Sequence, residues 1–326
     1  MQMEIIIKAR APFDFAATAQ FMRYTEAEAL DVFTANRYRR LFHFGERLCF
    51  LNVSASGSQA RPTLRVTLDD EGAIVKDRTT RAAAAETIAT LVRHIFSTDH
   101  DLKKFRARMV GDELMRTLEK AHHGLHIPRW PSLFEALTVS ILSQQISTSV
   151  AMTLKRRMVE RYGARARLDD ETLHAFPLPQ KIVRASVDEL RAHGLSNAKA
   201  QSIRELARSF EEGALDESEL SRADNESVIE RLTLLRGIGR WTAEWALMLY
   251  FGRTDVFPAN DLALRNFVIK YYNEGRPLKE KEIRRLAAER WGEWASYVAV
   301  YCLAASRRGI INLRPERMLL SSEARQ

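Results

Sequence analysis

The chain has almost no cysteine. Its two thiols, Cys49 and Cys302, stand far apart in 326 residues. That excludes a disulfide framework and a CxxC zinc pair, and within one chain it excludes a four-thiolate iron–sulfur cluster. Long apolar runs are also missing. No stretch approaches the roughly 18 uninterrupted apolar residues of a membrane span, and Met1-Gln2-Met3-Glu4-Ile5-Ile6-Ile7-Lys8 lacks the apolar core of a secretory leader. A reducing cytoplasm and no membrane partner are expected. The histidines show no convincing ligand spacing. His122, His123 and His126 group locally, with no cysteine or carboxylate set beside them, so no redox cofactor or catalytic metal is implied.

What is present is an ordinary globular composition, 46% apolar and 28% charged, with a formal net charge of +8. The length suggests two domains, and the basic balance suits a polyanionic partner. The first hundred residues read as strands. Glu4–Lys8 is strand-like, and Arg47–Ser54 and Thr63–Leu68 alternate apolar and polar residues, with the Ser/Gly-rich Ser54–Ser58 as the turn between them. Ile88, Leu91, Val92 and Ile95 then fall at helical spacing. From about Asp101 the pattern is helical, and Ser132 precedes Glu135 by a capping-box interval. The expected class is α+β: a small antiparallel sheet domain with helices over 1–105, then an all-helical domain over 106–326.

The most informative segment is Leu235-Arg236-Gly237-Ile238-Gly239-Arg240-Trp241-Thr242-Ala243, followed by Asp255-Val256-Phe257-Pro258-Ala259-Asn260-Asp261. Val228, Ile229, Leu232 and Leu235 make an apolar stripe that ends at the two glycines, and Trp241, Trp245 and Leu249 continue one after them. This predicts two helices joined by a tight hairpin. Gly237 and Gly239 permit positive φ and strip Cβ atoms from the outer face. The amides of Gly237, Gly239 and Thr242, at the start of the second helix, suit a phosphate oxygen. A dinucleotide fingerprint fails for want of a third glycine at Thr242, and a P-loop for want of its Gly-Lys-Ser/Thr ending. Asp261, in a proline-stiffened loop, is a candidate catalytic carboxylate or a plain helix cap.

These motifs resemble the helix-hairpin-helix (HhH-GPD) DNA glycosylase superfamily, and within it the AlkA-type DNA-3-methyladenine glycosylase II branch. Ser132–Leu137 with Ile141–Ser147, Gly194-Leu195-Ser196 with Lys199-Ala200, and, more weakly, Ala11–Phe15 and Arg37–Arg40 extend the resemblance over most of the chain. The resemblance implies a nucleoid-associated base excision repair enzyme that flips alkylated bases, of the 3-methyladenine and 7-methylguanine type, out of duplex DNA and hydrolyses the N-glycosidic bond. It implies a monomer with no cofactor. It places catalysis on Asp261, the DNA wedge on Gln145, and the base pocket on Trp241, Trp245 and Phe21. Carbonyls of Thr233, Leu235 and Ile238 are implied as a structural monovalent-cation site. Electron-rich rings suit a purine made cationic by ring-nitrogen alkylation.

Trp241 occupies the position where strand-cleaving members carry a Schiff-base lysine, so a monofunctional hydrolase is expected. Leu262 and Leu303 stand where some relatives are aromatic. Trp294 and Tyr297 are read as core, Asp255 as structural. The run Lys155-Arg156-Arg157, with Arg161, Arg165 and Arg167, is expected to supply phosphate contacts. Two alternatives stay open: a bifunctional oxidised-purine glycosylase/lyase, and a non-catalytic helix-hairpin-helix DNA-binding protein.

Overall fold

The computed structural model describes residues 3–22, 30–45, 47–58, 60–69, 78–168 and 171–314. Five strands, β1 (Met3–Lys8), β2 (Val32–Thr34), β3 (Arg37–Phe44), β4 (Arg47–Ser58) and β5 (Arg61–Asp69), form one antiparallel sheet in the order β1-β5-β4-β3-β2. The alternation read from the sequence is the burial pattern: Leu64, Val66 and Leu68 of β5 all point inward. They pack, with Val53 and Tyr38, against helices α1 (Phe15–Met22) and α2 (Arg78–Phe96), where Ile88, Val92 and Ile95 supply the facing stripe. The Ser54–Ser58 stretch is not a turn. It continues β4, with Ser54 opposite Arg65 and Ser58 opposite Arg61. Short polar side chains at an exposed strand end cost the ladder nothing, so composition misled there.

The helical part runs α3 (Leu102–Arg108), α4 (Glu113–Ala121), α5 (Leu133–Ser143), α6 (Thr148–Tyr162), α7 (Pro179–Arg184), α8 (Val187–Ala192), α9 (Asn197–Glu211), α10 (Glu217–Arg222), α11 (Asn225–Thr233), α12 (Arg240–Leu249), α13 (Leu262–Tyr272), α14 (Glu280–Trp291) and α15 (Ala295–Arg307). Trp291, Phe267, Tyr297 and Tyr301 are fully buried at its centre, and Trp294 lies in the same core. One addition to the expected helices is a two-stranded hairpin, β6 (Arg165–Leu168) and β7 (Glu171–His174). Leu173 of β7 and the following Ala175 pack on Leu41 and Phe50 of the sheet, so its partners are tertiary and leave no local signal.

A buried charge network ties the two parts together. Arg40 on β3 bonds Asp31 at 2.7 Å and Glu135 on α5 at 2.5 Å, while Lys155 on α6 lies 3.7 Å from Asp31. The Tyr38 hydroxyl donates to Asp31 as well. All four charged side chains are buried. Burial pushes the Asp31 carboxyl up, but Arg40 and Lys155 outweigh it and hold the carboxyl below its ordinary value. Two acids and two bases balance, which is what makes their burial tolerable. The capping box expected at Ser132 is therefore half made. Ser132 accepts from the Glu135 amide, and the Glu135 side chain goes to Arg40 instead.

Candidate active site

Asp261 is both a cap and a pocket residue. It begins α13 as the N-cap, its Oδ1 accepting from the amides of Ala263 at 3.0 Å and Leu264 at 3.2 Å. Its Oδ2 accepts from the indole Nε1 of Trp241 at 3.1 Å. Both carboxylate oxygens thus have directional donors, from two helices. The loop before it is pinned. The Asp261 amide donates to Pro258, and Ser296 of α15 exchanges hydrogen bonds with both backbone groups of Val256. Asp255 lies exposed on the surface.

Asp261 lies on the wall of a cavity of about 360 Å³, within the size range of small-molecule sites. Trp241, Trp245 and Leu249 line it from α12 at four-residue intervals, the spacing that puts side chains on one helix face. The two indoles meet edge to face with centroids 6.1 Å apart. The Trp245 indole N–H is buried without a hydrogen-bond partner. Trp130, Met152, Leu303 and Arg307 complete the wall, together with Ile146 and Ser143 near the end of α5. The sequence reading missed Trp130 and Arg307 as pocket residues; neither belongs to a periodic stripe on α12. Trp130 is seated by its amide, which donates to Leu249, and the Lys155 ammonium lies 5.0 Å from its ring centre on the buried side.

Phe21 does not join Asp261. It is buried beside a separate small cavity with Met22, Pro128 and Arg129, behind Trp130 and Leu249. The Arg307 guanidinium sits 4.3 Å over its ring and donates to its carbonyl. The cation, not the phenyl ring, faces the Asp261 cavity.

The hairpin between α11 and α12 has one left-handed glycine, not two. Gly237 has φ +78°, and a Cβ there would lie 2.3 Å from Ser202 Oγ. Gly239 has φ −99°, and a Cβ there would meet nothing within 4 Å. Its missing side chain leaves the outer face open, beside the first turn of α12, which no side chain caps. The Thr242 side chain is buried and its hydroxyl accepts from Gln144 Nε2 at 3.0 Å, so the hydroxyl faces inward and only the backbone can serve the outer face. The same Gln144 amide donates to the Gly237 carbonyl at 2.8 Å, fastening the end of α5 to the hairpin.

Gln145, next in line, has φ +57° and is exposed. A non-glycine residue in the left-handed region signals a constraint imposed by its surroundings. Here the constraint is the pair of clamps on Gln144, by the hairpin on one side and by Lys199 on the other, whose ammonium donates to the Leu142 and Gln144 carbonyls. Thr233 and Leu235 lie toward the surface of the hairpin and Ile238 is buried; the Leu235 carbonyl accepts from the Ile238 amide. In the basic run, Lys155 is not a surface cation at all. It is buried in the charge network, whereas Arg156, Arg157, Arg161, Arg165 and Arg167 are exposed.

Two family models match the chain. The model for the HhH-GPD superfamily base excision DNA repair protein covers residues 138–293, and that for the AlkA N-terminal domain covers residues 4–132. DNA-3-methyladenine glycosylase 2 of Escherichia coli K12 is 30% identical over 291 residues, which is 89% of this chain and 93% of that protein. The chain belongs to the HhH-GPD superfamily. The solved 3-methyladenine DNA-glycosylase of Archaeoglobus fulgidus superposes with a TM-score of 0.79 at 27% identity, over 93% of this chain and 98% of that one. The 3-methyladenine DNA glycosylase Mag1 of Schizosaccharomyces pombe, solved in complex with abasic DNA, has a TM-score of 0.54 at 25% identity, over 65% of this chain and 98% of its own. This HhH-GPD protein thus shares its fold with 3-methyladenine DNA glycosylases.

Proposed function

We propose that this HhH-GPD protein is a monofunctional DNA glycosylase that hydrolyses the N-glycosidic bond of alkylated bases in duplex DNA and leaves an abasic site. One observation carries the reading: the Asp261 carboxylate, held by two helix amides and an indole N–H, on the wall of a cavity lined by tryptophans beside the hairpin. Breaking the bond develops positive charge on the sugar, as in other oxocarbenium-like transition states. A carboxylate fixed before the reaction stabilises that charge without reorganising, and it can orient the attacking water.

The hairpin amides of Gly237, Gly239 and Thr242 anchor a backbone phosphate, with positioning rather than sequence reading as the result. Gln145 fills the gap left by the extruded nucleotide, presented outward by its left-handed backbone. The base stacks on Trp241 and Trp245, with Trp130 as a further wall. Phe21 acts only from behind, through Arg307. The Thr233, Leu235 and Ile238 carbonyls are an oxygen-only donor set of the kind that suits a hard cation bridging to phosphate. The sheet unit and the helical unit divide near residue 105, and a single copy of the chain suffices.

The hydrolytic, non-cleaving outcome rests on Trp241 at the position of the lyase lysine and on the absence of lysine among the residues that line the cavity. Lys199, whose pKa burial lowers, is committed to two carbonyls. Arg240 is held by Glu226 and Glu244. Incubation with methylated duplex DNA is expected to release free methylated base while the strand stays intact until alkali treatment. Borohydride trapping of a covalent protein–DNA adduct would overturn the monofunctional part, and release of no base at all would overturn the whole reading.

A further inference from the structure

Several surface arginines are neutralised by neighbours: Arg10 by Asp101, Arg39 by Glu171, Arg231 by Glu219, Arg236 by Glu205 and Arg284 by Glu280. One concave site differs. A cavity of about 320 Å³ opens where the far end of α6 meets β3 and α7, lined by His43, Arg161, Tyr162, Gly163, Ala164, Leu178 and Lys181. No carboxylate is among the lining residues. Among the described residues neither Arg161 nor Lys181 makes an ion pair, and both are exposed. Arg161 is not loose, however. Its guanidinium lies 5.8 Å from the centre of the Tyr162 ring, which holds it at the rim.

His43 is half-buried, and burial holds its imidazole below the ordinary histidine value. It therefore offers a neutral N–H or lone pair at neutral pH rather than a third charge. Arg161 also feels the Glu189 carboxylate, which is hydrogen-bonded in place at the start of α8 and makes no ion pair with it. The Glu189 pKa is lowered first by its hydrogen bonds with Ser186, in the capping box of α8, and last by Arg161. Two cations without an ion pair and a neutral imidazole around one concavity make an anion site. Concave walls focus the potential of such cations.

We propose that this cavity binds a phosphate group, with Arg161 and Lys181 as the charged donors. It lies at the opposite end of α6 from the catalytic cavity, which the first turns of that helix line through Thr148 and Met152. Fifteen residues of helix span about 22 Å, or about six base pairs along a duplex at ~3.4 Å each. The phosphate is supplied either by the DNA backbone several base pairs from the lesion or by free phosphate. The duplex source rests on the glycosylase reading above.

The test compares wild-type protein with the double variant Arg161→Ala/Lys181→Ala, with Arg161→Lys as the charge-keeping control. Binding is read by anisotropy on two duplexes carrying a stable abasic-site analogue, one of about 8 base pairs and one of about 24, so that only the longer reaches ~22 Å from the lesion. A backbone contact predicts about a tenfold loss on the long duplex, a log–log salt slope lower by about 1 to 2, no change on the short duplex, and retention by Arg161→Lys. A free-phosphate site predicts instead that inorganic phosphate, against chloride at equal ionic strength, raises the Tm of wild type and not of the variant. Equal behaviour of the two proteins in both arms overturns the proposal. Failure of the glycosylase reading looks different: wild-type protein itself would then show no preference for the abasic duplex and release no base.

Discussion

The bond from Trp241 Nε1 to Asp261 Oδ2, 3.1 Å long, makes a prediction that separates an anchored carboxylate from a merely adjacent one. Trp241→Phe keeps an aromatic face in the cavity and removes the donor. A hydrogen bond to a charged group is worth about 1.5–3 kcal/mol. If the whole of it serves to hold Oδ2 against the forming sugar cation, the chemical step slows by about 10- to 150-fold, at ~1.4 kcal/mol per decade. The two amide bonds to Oδ1 remain and keep the carboxylate near its place, so the loss should fall toward the lower end. Single-turnover excision with excess enzyme reads this step directly, and affinity for an abasic-analogue duplex controls for binding. A rate within twofold of wild type would refute the anchoring argument. A faster rate would show that the indole mainly weakens the carboxylate by sharing its charge.

Four further outcomes follow from the same geometry. Asp261→Asn keeps an acceptor for the cap of α13 but sets its side-chain NH2 against the Trp241 N–H, so it should stay folded with a Tm lowered by a degree or two, about as much as Asp261→Ala, which forfeits the cap at about 1 kcal/mol. Gly237→Ala should destabilise by about 1–2 kcal/mol from the left-handed backbone, and further from the clash with Ser202. Gly239→Ala should fold normally, since its Cβ meets nothing, yet weaken duplex binding, read as Kd at low salt. Arg40→Met leaves Asp31 and Glu135 buried without their shared cation, and urea unfolding should show a loss of about 3–5 kcal/mol.

The elements that carried a period or a motif were readable before the structure. The alternation of β5, the stripe of α2 and the paired glycines needed only local pattern. Asp261 was readable as a cap and as a catalytic candidate; one oxygen takes the cap amides, and the other meets the Trp241 indole on the cavity wall. What local pattern could not show was direction. Lys155 looked like one of a row of surface cations, but its partner Asp31 lies in the sheet domain, far upstream in the chain. Glu135 had the spacing of a capping box, and Arg40 took its side chain. Phe21 matched a family position, yet Arg307, at the end of the last helix, stands between it and the cavity. Gln145 carries no mark in its sequence of the left-handed backbone that the clamps on Gln144 impose. Each of these depends on a contact between segments that sequence keeps far apart.

The proposed mechanism puts the chemistry on Asp261, in the tryptophan-lined cavity. Single-turnover release of free base from methylated duplex DNA, quantified by liquid chromatography for wild type and Asp261→Asn, tests it most directly. Wild type is expected to release base with the phosphodiester strand intact, and the variant, still folded and with unchanged duplex affinity, to lose at least about 10²-fold. Equal release by the two proteins would contradict that mechanism.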